Sequence, residues 1–395
     1  MNSRLFWLAL GTFAIGAEGF VIASLLPQIA AETGVTLAQS GYLVIVFALT
    51  YALGSPVLAA LTGASDRRRV LCLSALVFAL GAFAASAATS FALLLAARLV
   101  IAVAAGLYAA TAQATAVAIS HQDHRGRAIS IIVGGTSLAV AFGAPLGALI
   151  AYLAGWRGTY VTIGAAGLVA ATAIWLKIPG GLRGVSLPLR TRLRVLSRPG
   201  IRPALLTTLL FMTGGFAVFT YLVPLATEVF GIGRKAVPAV LLVYGLGAAA
   251  GNILGGQLSD RWGVSRTVTV ATLCNAVMLV VISGIGLLPQ TLAAPVFVVA
   301  LAIWGTLTWS FPPAQASRIV ALAPDSAPLA LSLNASAIYL GVALGSFAGG
   351  LLVARGGIEV LALLSAAFPL AALALMGLAR MTEGRHPLPA AAARS

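Results

Sequence analysis

The chain has 395 residues, of which 60% are hydrophobic and only 8% charged, and its mean hydropathy is +1.04. Soluble domains carry roughly 25% charged residues, so this composition excludes a soluble fold and predicts an all-α protein that crosses a membrane many times. The formal charge of +15 then marks loops on one side of that membrane rather than a nucleic-acid partner.

A spanning helix needs about 20 mostly apolar residues. In chain order, polar and Gly/Pro-marked breaks delimit twelve such segments. The first six are Leu5–Ala31, Ser40–Thr62, Val70–Ala88, Phe91–Ile119, Ala128–Leu153 and Thr159–Lys177. The second six are Pro203–Val229, Pro238–Leu258, Thr267–Leu288, Thr291–Leu322, Pro328–Ala354 and Ile358–Ala379. The polar start MNSR is not followed by a cleavage pattern, so the first segment is expected to be retained.

With the N-terminus inside, 19 of the 24 basic residues fall on the inner side. Four lie outside (Arg157, Arg234, Lys235 and Arg355), and Arg98 lies within a span. This bias predicts both termini in the cytoplasm, and an odd number of spans would break it. The densest basic run, from Lys177 to Arg202, contains Gly180, Gly181, Pro188 and Pro199. It reads as a surface linker suited to anionic lipid. The expected organisation is a six-helix bundle over 1–177, a basic cytoplasmic linker over 178–202, a second bundle over 203–379 and a disordered cytoplasmic tail over 380–395.

Catalysis is not expected. Cys72 and Cys274 lie in separate apolar runs, and no Cys/His set has metal-ligand spacing. His121, His124 and His386 occupy loops or the tail, with no Ser/His/Asp set around them. The sequence has no GxxxxGK[ST] phosphate loop. An ion gradient is therefore the expected energy source, with no metal and no cofactor.

Several features recur at a nearly constant offset. Asp66 and Arg67 in TGASDRRRV are matched 194 residues later by Asp260 and Arg261 in GGQLSDRWG. LLPQIAAETG is matched by LVPLATEVFG, Pro27 against Pro224 and Glu32 against Glu228, and the Gly-rich fifth span by the eleventh. Duplication predicts two pseudo-symmetric halves with a substrate site between them near the midplane.

The residues Gly256, Asp260, Arg261 and Gly263, spaced G-x-x-x-D-R-x-G between spans eight and nine, resemble the loop signature of the major facilitator superfamily. The copy after span two keeps Asp66 and Arg67, has Thr62 for the first Gly and lacks the last. Leu94-x-x-x-Arg98 resembles the fourth-helix motif, with Ile101 and Ala102 in place of its Gln and Gly. Gly143-Ala-Pro145-Leu-Gly147, followed by Gly155-Trp156-Arg157, resembles the fifth-helix antiporter motif of proton-coupled exporters. FAIGAEGFVIASLLPQIAAETGV and ALSLNASAIYLGVALGSFAGG are similar to the arabinose-efflux and chloramphenicol-exporter branch of the 12-helix drug:proton antiporters. The resemblance implies the superfamily fold, a monomer, and gating loops that latch the outward-facing state. Ordinary loop charge at Asp66, Arg67, Asp260 and Arg261 is the plainer alternative.

Glu18 is the one acid placed near the middle of a span, where an acidic group costs roughly 2.5–3.5 kcal/mol. It is the expected proton carrier, or else a structurally hydrogen-bonded or permanently protonated glutamate. Arg98 either tunes Glu18 or binds an anionic group, or else it snorkels outward. Counted along the helices, the two differ in depth by roughly 10 Å, so a direct pair does not follow from the sequence. Gly135, Ala139, Gly143 and Gly147 form a smooth stripe beside Pro145, repeated by Gly341, Gly345 and Gly349. Both stripes are expected where the halves meet and rock.

The expected cavity residues are Tyr51, Tyr108, Gln113, Tyr221, Tyr244, Asn252, Trp309, Asn334 and Tyr339. So few charges suit a neutral or weakly polar organic molecule. The expected function is proton-coupled export of such molecules from a bacterial cytoplasmic membrane. A sugar or nucleoside exporter is the alternative if the cavity is rich in amides, and an importer or facilitator is disfavoured by the fifth-helix pattern.

Overall fold

The computed structural model describes residues 3–121, 124–183 and 193–385. The middle of the basic linker and the tail beyond Arg385, including His386, lie outside the described residues. Among the described residues the chain is almost wholly helical, with one isolated β-bridge between Asp66 and Arg183. Eleven helical stretches are long and apolar enough to span a bilayer. One of them, Arg127–Lys177, runs for 51 residues and breaks at Gly155, whose φ of 72° interrupts the helix. Glycine tolerates that left-handed φ because it has no Cβ. Counting both sides of the break gives the twelve spans expected.

We number the spans α1 (Ser3–Thr33), α2 (Tyr42–Leu61), α3 (Arg67–Ser86) and α4 (Phe91–Ala118). α5 runs from Arg125–Leu138 through a π-helical turn, Ala139–Gly143, to the break, and α6 covers 156–177. α7 is Ile201–Phe219, continued by Leu222–Pro224 and a π turn at Leu225–Val229. α8 is Val237–Trp262 and α9 is Val264–Ile285. α10 is Gln290–Trp309 with Phe311–Leu322, α11 is Ala327–Ala354, and α12 is Leu361–Ser365 with Ala367–Arg385.

The irregularities follow from proline, which cannot donate to the carbonyl four residues back. Pro224 accounts for the interruption at Thr220 and Tyr221, and Pro312 and Pro313 for that at Ser310. Pro145 leaves the Ala141 carbonyl without its helical donor, and this is where the π turn lies. The outer surface is inverted relative to a soluble protein. Leu53, Leu61, Leu153, Leu176 and Leu287 are each at least 65% exposed, as expected of side chains that meet lipid.

The first six helices and the last six form two bundles. In the first, α3 packs on the α5–α6 unit and on α4, and α1 packs on α5; in the second, α11 packs on α7 and α8 on α10. The bundles meet along α2 with α11 and along α5 with α8.

The glycine stripes do not sit at that junction, contrary to expectation. A Cβ at Gly143 would lie 2.7 Å from the Ala17 Cα, and one at Gly147 would collide with Val21, so this face of α5 packs on α1 of its own bundle. Gly341, Gly345 and Gly349 of α11 likewise face Leu209, Thr213 and Ala217 of α7. Small residues lower the approach distance of neighbouring helices, and here they tighten each bundle. The junction uses other atoms: Gly245 of α8 rests on the freed Ala141 carbonyl, and Asn252 Nδ2 donates to Ser137 Oγ at 2.8 Å.

Candidate functional site

Glu18 and Arg98 form a direct ion pair, Nη1 to Oε1, and both side chains are 0% exposed. This pairing fits the reading in which Arg98 acts on Glu18. Arg98 does not snorkel, and the depth argument fails because α1 is longer than the bilayer core. Its 31 residues rise about 46 Å against a core of about 30 Å. Depth counted from its end therefore places Glu18 too far from the outer face, and the two long side chains close the remaining gap.

Arg98 has two further partners. Its Nε donates to the Leu43 carbonyl at 3.2 Å, and its guanidinium lies 4.6 Å from the centre of the Phe47 ring. Both are on α2. Phe47 in turn packs against Tyr51 and, across the junction, against Tyr339 of α11. Tyr51 and Tyr339 stack at 3.8 Å, and Ser336 Oγ donates to the Ala52 carbonyl at 2.8 Å beside them.

A second aromatic group lies nearby. Phe20, two residues beyond Glu18, packs edge-on to Phe219 of α7 and Trp309 of α10, at 6.1 and 5.6 Å. Trp309 Nε1 donates to the Tyr244 hydroxyl at 3.0 Å. Phe219, Tyr244 and Trp309 border a cavity of about 20 Å³ that also reaches Gly215 and Phe216, room for about one water. Aromatic rings from both bundles pack together at this junction.

The nine expected cavity residues therefore divide. Tyr51, Tyr244, Trp309 and Tyr339 belong to the aromatic layer. Tyr108 is buried inside the first bundle, donating to the Leu8 carbonyl at 3.0 Å. Asn334 accepts from the Thr208 hydroxyl at 2.8 Å inside the second bundle. Asn252 binds Ser137 at the junction, and the Tyr221 hydroxyl donates to the Ser346 carbonyl at 3.4 Å. Gln113 is exposed on α4. Phe20, Phe47 and Phe219 were missed because an aromatic residue in an apolar run carries no distinguishing mark. Only the proximity of Phe20 to Glu18 could have singled it out.

The loop charges behave unequally. Asp66 caps α3, accepting from the backbone N–H of Arg68 at 2.9 Å and of Arg69 at 3.3 Å, and it also accepts from the Gly181 N–H. The Gly181 N–H is the main reason its carboxyl sits below the usual carboxylate range. Arg67 Nη1 donates to the Ala114 carbonyl at 2.7 Å, and Arg68 lies over Trp175 at 4.3 Å. This first copy thus clamps α3, α4 and α6 of one bundle together. Asp260 and Arg261 are exposed, and neither makes a side-chain bond among the described residues. Among the described residues, Asp260 and Arg261 hold no ion pair with the opposite half. Gly263 turns the chain from α8 to α9 with φ 83°, whereas a Cβ at Gly256 would meet nothing within 4 Å.

No group of three or more His, Cys, Asp or Glu side chains able to hold a metal ion occurs among the described residues. The arrangement offers one sealed carboxylate–guanidinium pair joined through Phe47 to an aromatic layer between two bundles.

Comparisons with known proteins agree with this fold. The chain is 31% identical over 350 residues to the uncharacterised MFS-type transporter YbcL of Bacillus subtilis, covering 89% of this chain and 88% of the relative. It is 32% identical over 352 residues to the chloramphenicol resistance protein of Streptomyces lividans, covering 87% and 88%. Among solved structures, a D-xylose–proton symporter superposes with a TM-score of 0.78 at 14% identity, over 94% of this chain and 96% of that one, which speaks to the fold alone. The family model of the Major Facilitator Superfamily matches residues 8–327, and the chain belongs to that superfamily: it is an integral membrane transporter of small molecules, not an enzyme.

Proposed function

We propose that the protein is a proton-coupled exporter of small, mostly neutral organic molecules, chloramphenicol-like compounds among them, that works by alternating access. The carrying observation is the sealed Glu18–Arg98 pair, one side chain removed from the aromatic layer between the bundles. The chloramphenicol resistance protein among its relatives supports the substrate class.

With Glu18 ionised, the two charges cancel. Binding a proton at Glu18 leaves the Arg98 charge without its counter-ion in a low-dielectric interior, where an uncompensated charge is costly. Arg98 then leans on its remaining partners, the Leu43 carbonyl and the Phe47 ring face, whose attraction for a cation grows on desolvation. Because Phe47 touches Tyr339, this change is felt at the junction that must open and close. Glu18 thus loses its proton while the cavity faces the cytoplasm and takes up substrate. Proton entry from outside accompanies substrate release. Closure on the cytoplasmic side brings the Asp66 and Asp260 loops into contact with the opposite half.

A cavity lined by aromatic rings favours flat, apolar solutes. The amides that a sugar site would need, Asn252 and Asn334, are engaged in helix contacts, which favours the drug reading over the sugar one. The charge bias of the loops supports a bacterial cytoplasmic membrane with both termini inside, and a monomer suffices for this mechanism. The test is uptake of chloramphenicol, a dye and a sugar into inverted vesicles, with and without a proton gradient. Gradient-driven accumulation of the first two and not the third is expected. Equal accumulation without a gradient would contradict the proposal.

A further inference from the structure

Five buried polar atoms of the first bundle have no hydrogen-bond partner among the described residues; one is Arg68 Nε near the cytoplasmic end of α3, and the other four are Glu18 Oε2, Arg98 Nη2, Tyr160 OH and Trp156 Nε1. All four side chains are 0% exposed. Leaving one such group unsatisfied costs about 1–3 kcal/mol, and buried polar groups are normally paired or bridged by water. Four unpaired atoms on neighbouring side chains are therefore an exception that calls for a physical account.

Their order along the membrane supplies one. Glu18 and Arg98 are in contact, and the Tyr160 hydroxyl is within electrostatic reach of Arg98. Tyr160 and Trp156 lie one turn apart on α6 with rings 6.1 Å apart and nearly perpendicular. The Trp156 ring is covered by the Arg157 guanidinium at 4.2 Å. Arg157 pairs with Glu32 at the outer end of α1, where both side chains are about half exposed, and also reaches the Ala88 carbonyl after α3. The polar groups thus form a line from the outer rim to the sealed pair, inside one bundle and apart from the aromatic layer.

We propose that protons reach Glu18 from the outer face along this line, through water held between Trp156, Tyr160 and the Glu18–Arg98 pair, rather than through the substrate cavity. The proposal rests on Glu18 as the proton carrier. A proton from outer water passes to the internal water. The Tyr160 hydroxyl passes its own proton inward as it accepts another, and is unchanged overall. Glu18 Oε2 takes the proton, and the ion pair becomes a neutral acid beside a free guanidinium. No other covalent bond is made or broken.

The other titratable groups near the pair do not offer a competing route. Tyr108 of α4 is committed to the Leu8 carbonyl, and Tyr51 of α2 is stacked on Tyr339 in the aromatic layer. α5 faces α1 at this depth through Gly143, and α7 faces it through Phe219. A separate proton route has a functional use: the proton can arrive while a bulky solute occupies the space between the bundles.

The test is the infrared carboxylic-acid band of Glu18, isolated as the difference between wild type and Glu18→Gln in right-side-out membrane vesicles after a step in outer pH. The band is expected to rise on outer acidification. It should rise about 100-fold more slowly in Tyr160→Phe, the lower end of what a positioned proton donor contributes, and more slowly to a smaller extent in Trp156→Phe. Tyr160→Phe keeps the ring packing, Trp156→Phe keeps an aromatic ring at the position, and the second serves should the first fail to fold. A band that rises equally fast in both variants, or only after inner acidification, would overturn this route while leaving Glu18 as carrier. No pH-dependent band in the wild type would overturn the carrier reading and the route with it.

Discussion

In the first bundle, the contact between α1 and α4 is an ion pair closed off from solvent. Among the described residues, the polar side chains closed off from solvent in the second bundle are neutral. Thr208, Gln315 and Asn334 bond to one another and to the Ala204 carbonyl, and Trp304 Nε1 donates to Asn275 Oδ1 at 3.0 Å. By the repeat that sets Pro27 against Pro224, Glu18 corresponds to Gly215, which borders the small cavity and has nothing within 4 Å of an added Cβ. One architecture therefore carries a buried charge at a position where its duplicate carries open space beside aromatic rings. Under the proposed function this difference corresponds to a division of labour, with proton handling in the first bundle and solute contact weighted toward the second.

The sharpest way to break this comparison is to unbalance the pair. Glu18→Ala should destabilise the protein by about 3–5 kcal/mol, the cost of leaving a buried partner charge alone. Glu18→Gln combined with Arg98→Met should recover much of that stability without recovering gradient-driven transport. Thermal unfolding in detergent and vesicle uptake read the two effects separately, and recovery of both would remove the pair from coupling.

Next in size is the fit of α5 on α1. Gly143→Ala places a methyl 2.7 Å from the Ala17 backbone, and such overpacking costs about 1–3 kcal/mol. Because it displaces α1 one residue from Glu18, proton-driven uptake should fall more than binding. Gly256→Ala has open space and should be nearly silent in the same assays, although Gly256 is the glycine that begins the loop signature.

The mirror substitution sharpens the comparison from the other side. Gly215→Leu should fill the cavity and weaken chloramphenicol binding about tenfold, comparable to a misfit of one or two methylenes. The Glu18 infrared band should titrate as in wild type. Loss of that titration would show that the halves do not divide the work.

The smallest expected effect concerns the Asp66 cap. Its carboxyl is held below the usual range, so the stability it adds is present above a normal carboxylate pKa and is lost as pH falls through the lowered value. Asp66→Ala should cost about 1 kcal/mol near neutral pH. The difference from wild type should vanish on acidification past that value, which thermal unfolding across pH would show.

Much of the fold was legible because hydropathy and proline act locally. The twelve spans follow from length and composition, and the breaks at Gly155, Thr220 and Ser310 follow from residues at or near them. The site was legible only in part. Glu18 stands out because an acid in a span is costly wherever its neighbours lie. Its pairing with Arg98 was hidden because it depends on how far α1 extends past the bilayer, which depth counting ignores. The stripe at Gly143 and Gly147 was read correctly as a packing face, but the sequence cannot say which helix a smooth face meets. The aromatic layer is assembled from α1, α2, α7, α8, α10 and α11, and no local pattern announces that rings so distant in sequence converge.

The most direct test of the account is the number of protons released when purified protein binds chloramphenicol in weakly buffered detergent solution. The wild type should release protons on binding, and Glu18→Gln should bind with no release. Equal proton release by the two would contradict Glu18 as the coupling carboxylate, as would wild-type binding that leaves the pH unchanged across the range where Glu18 titrates.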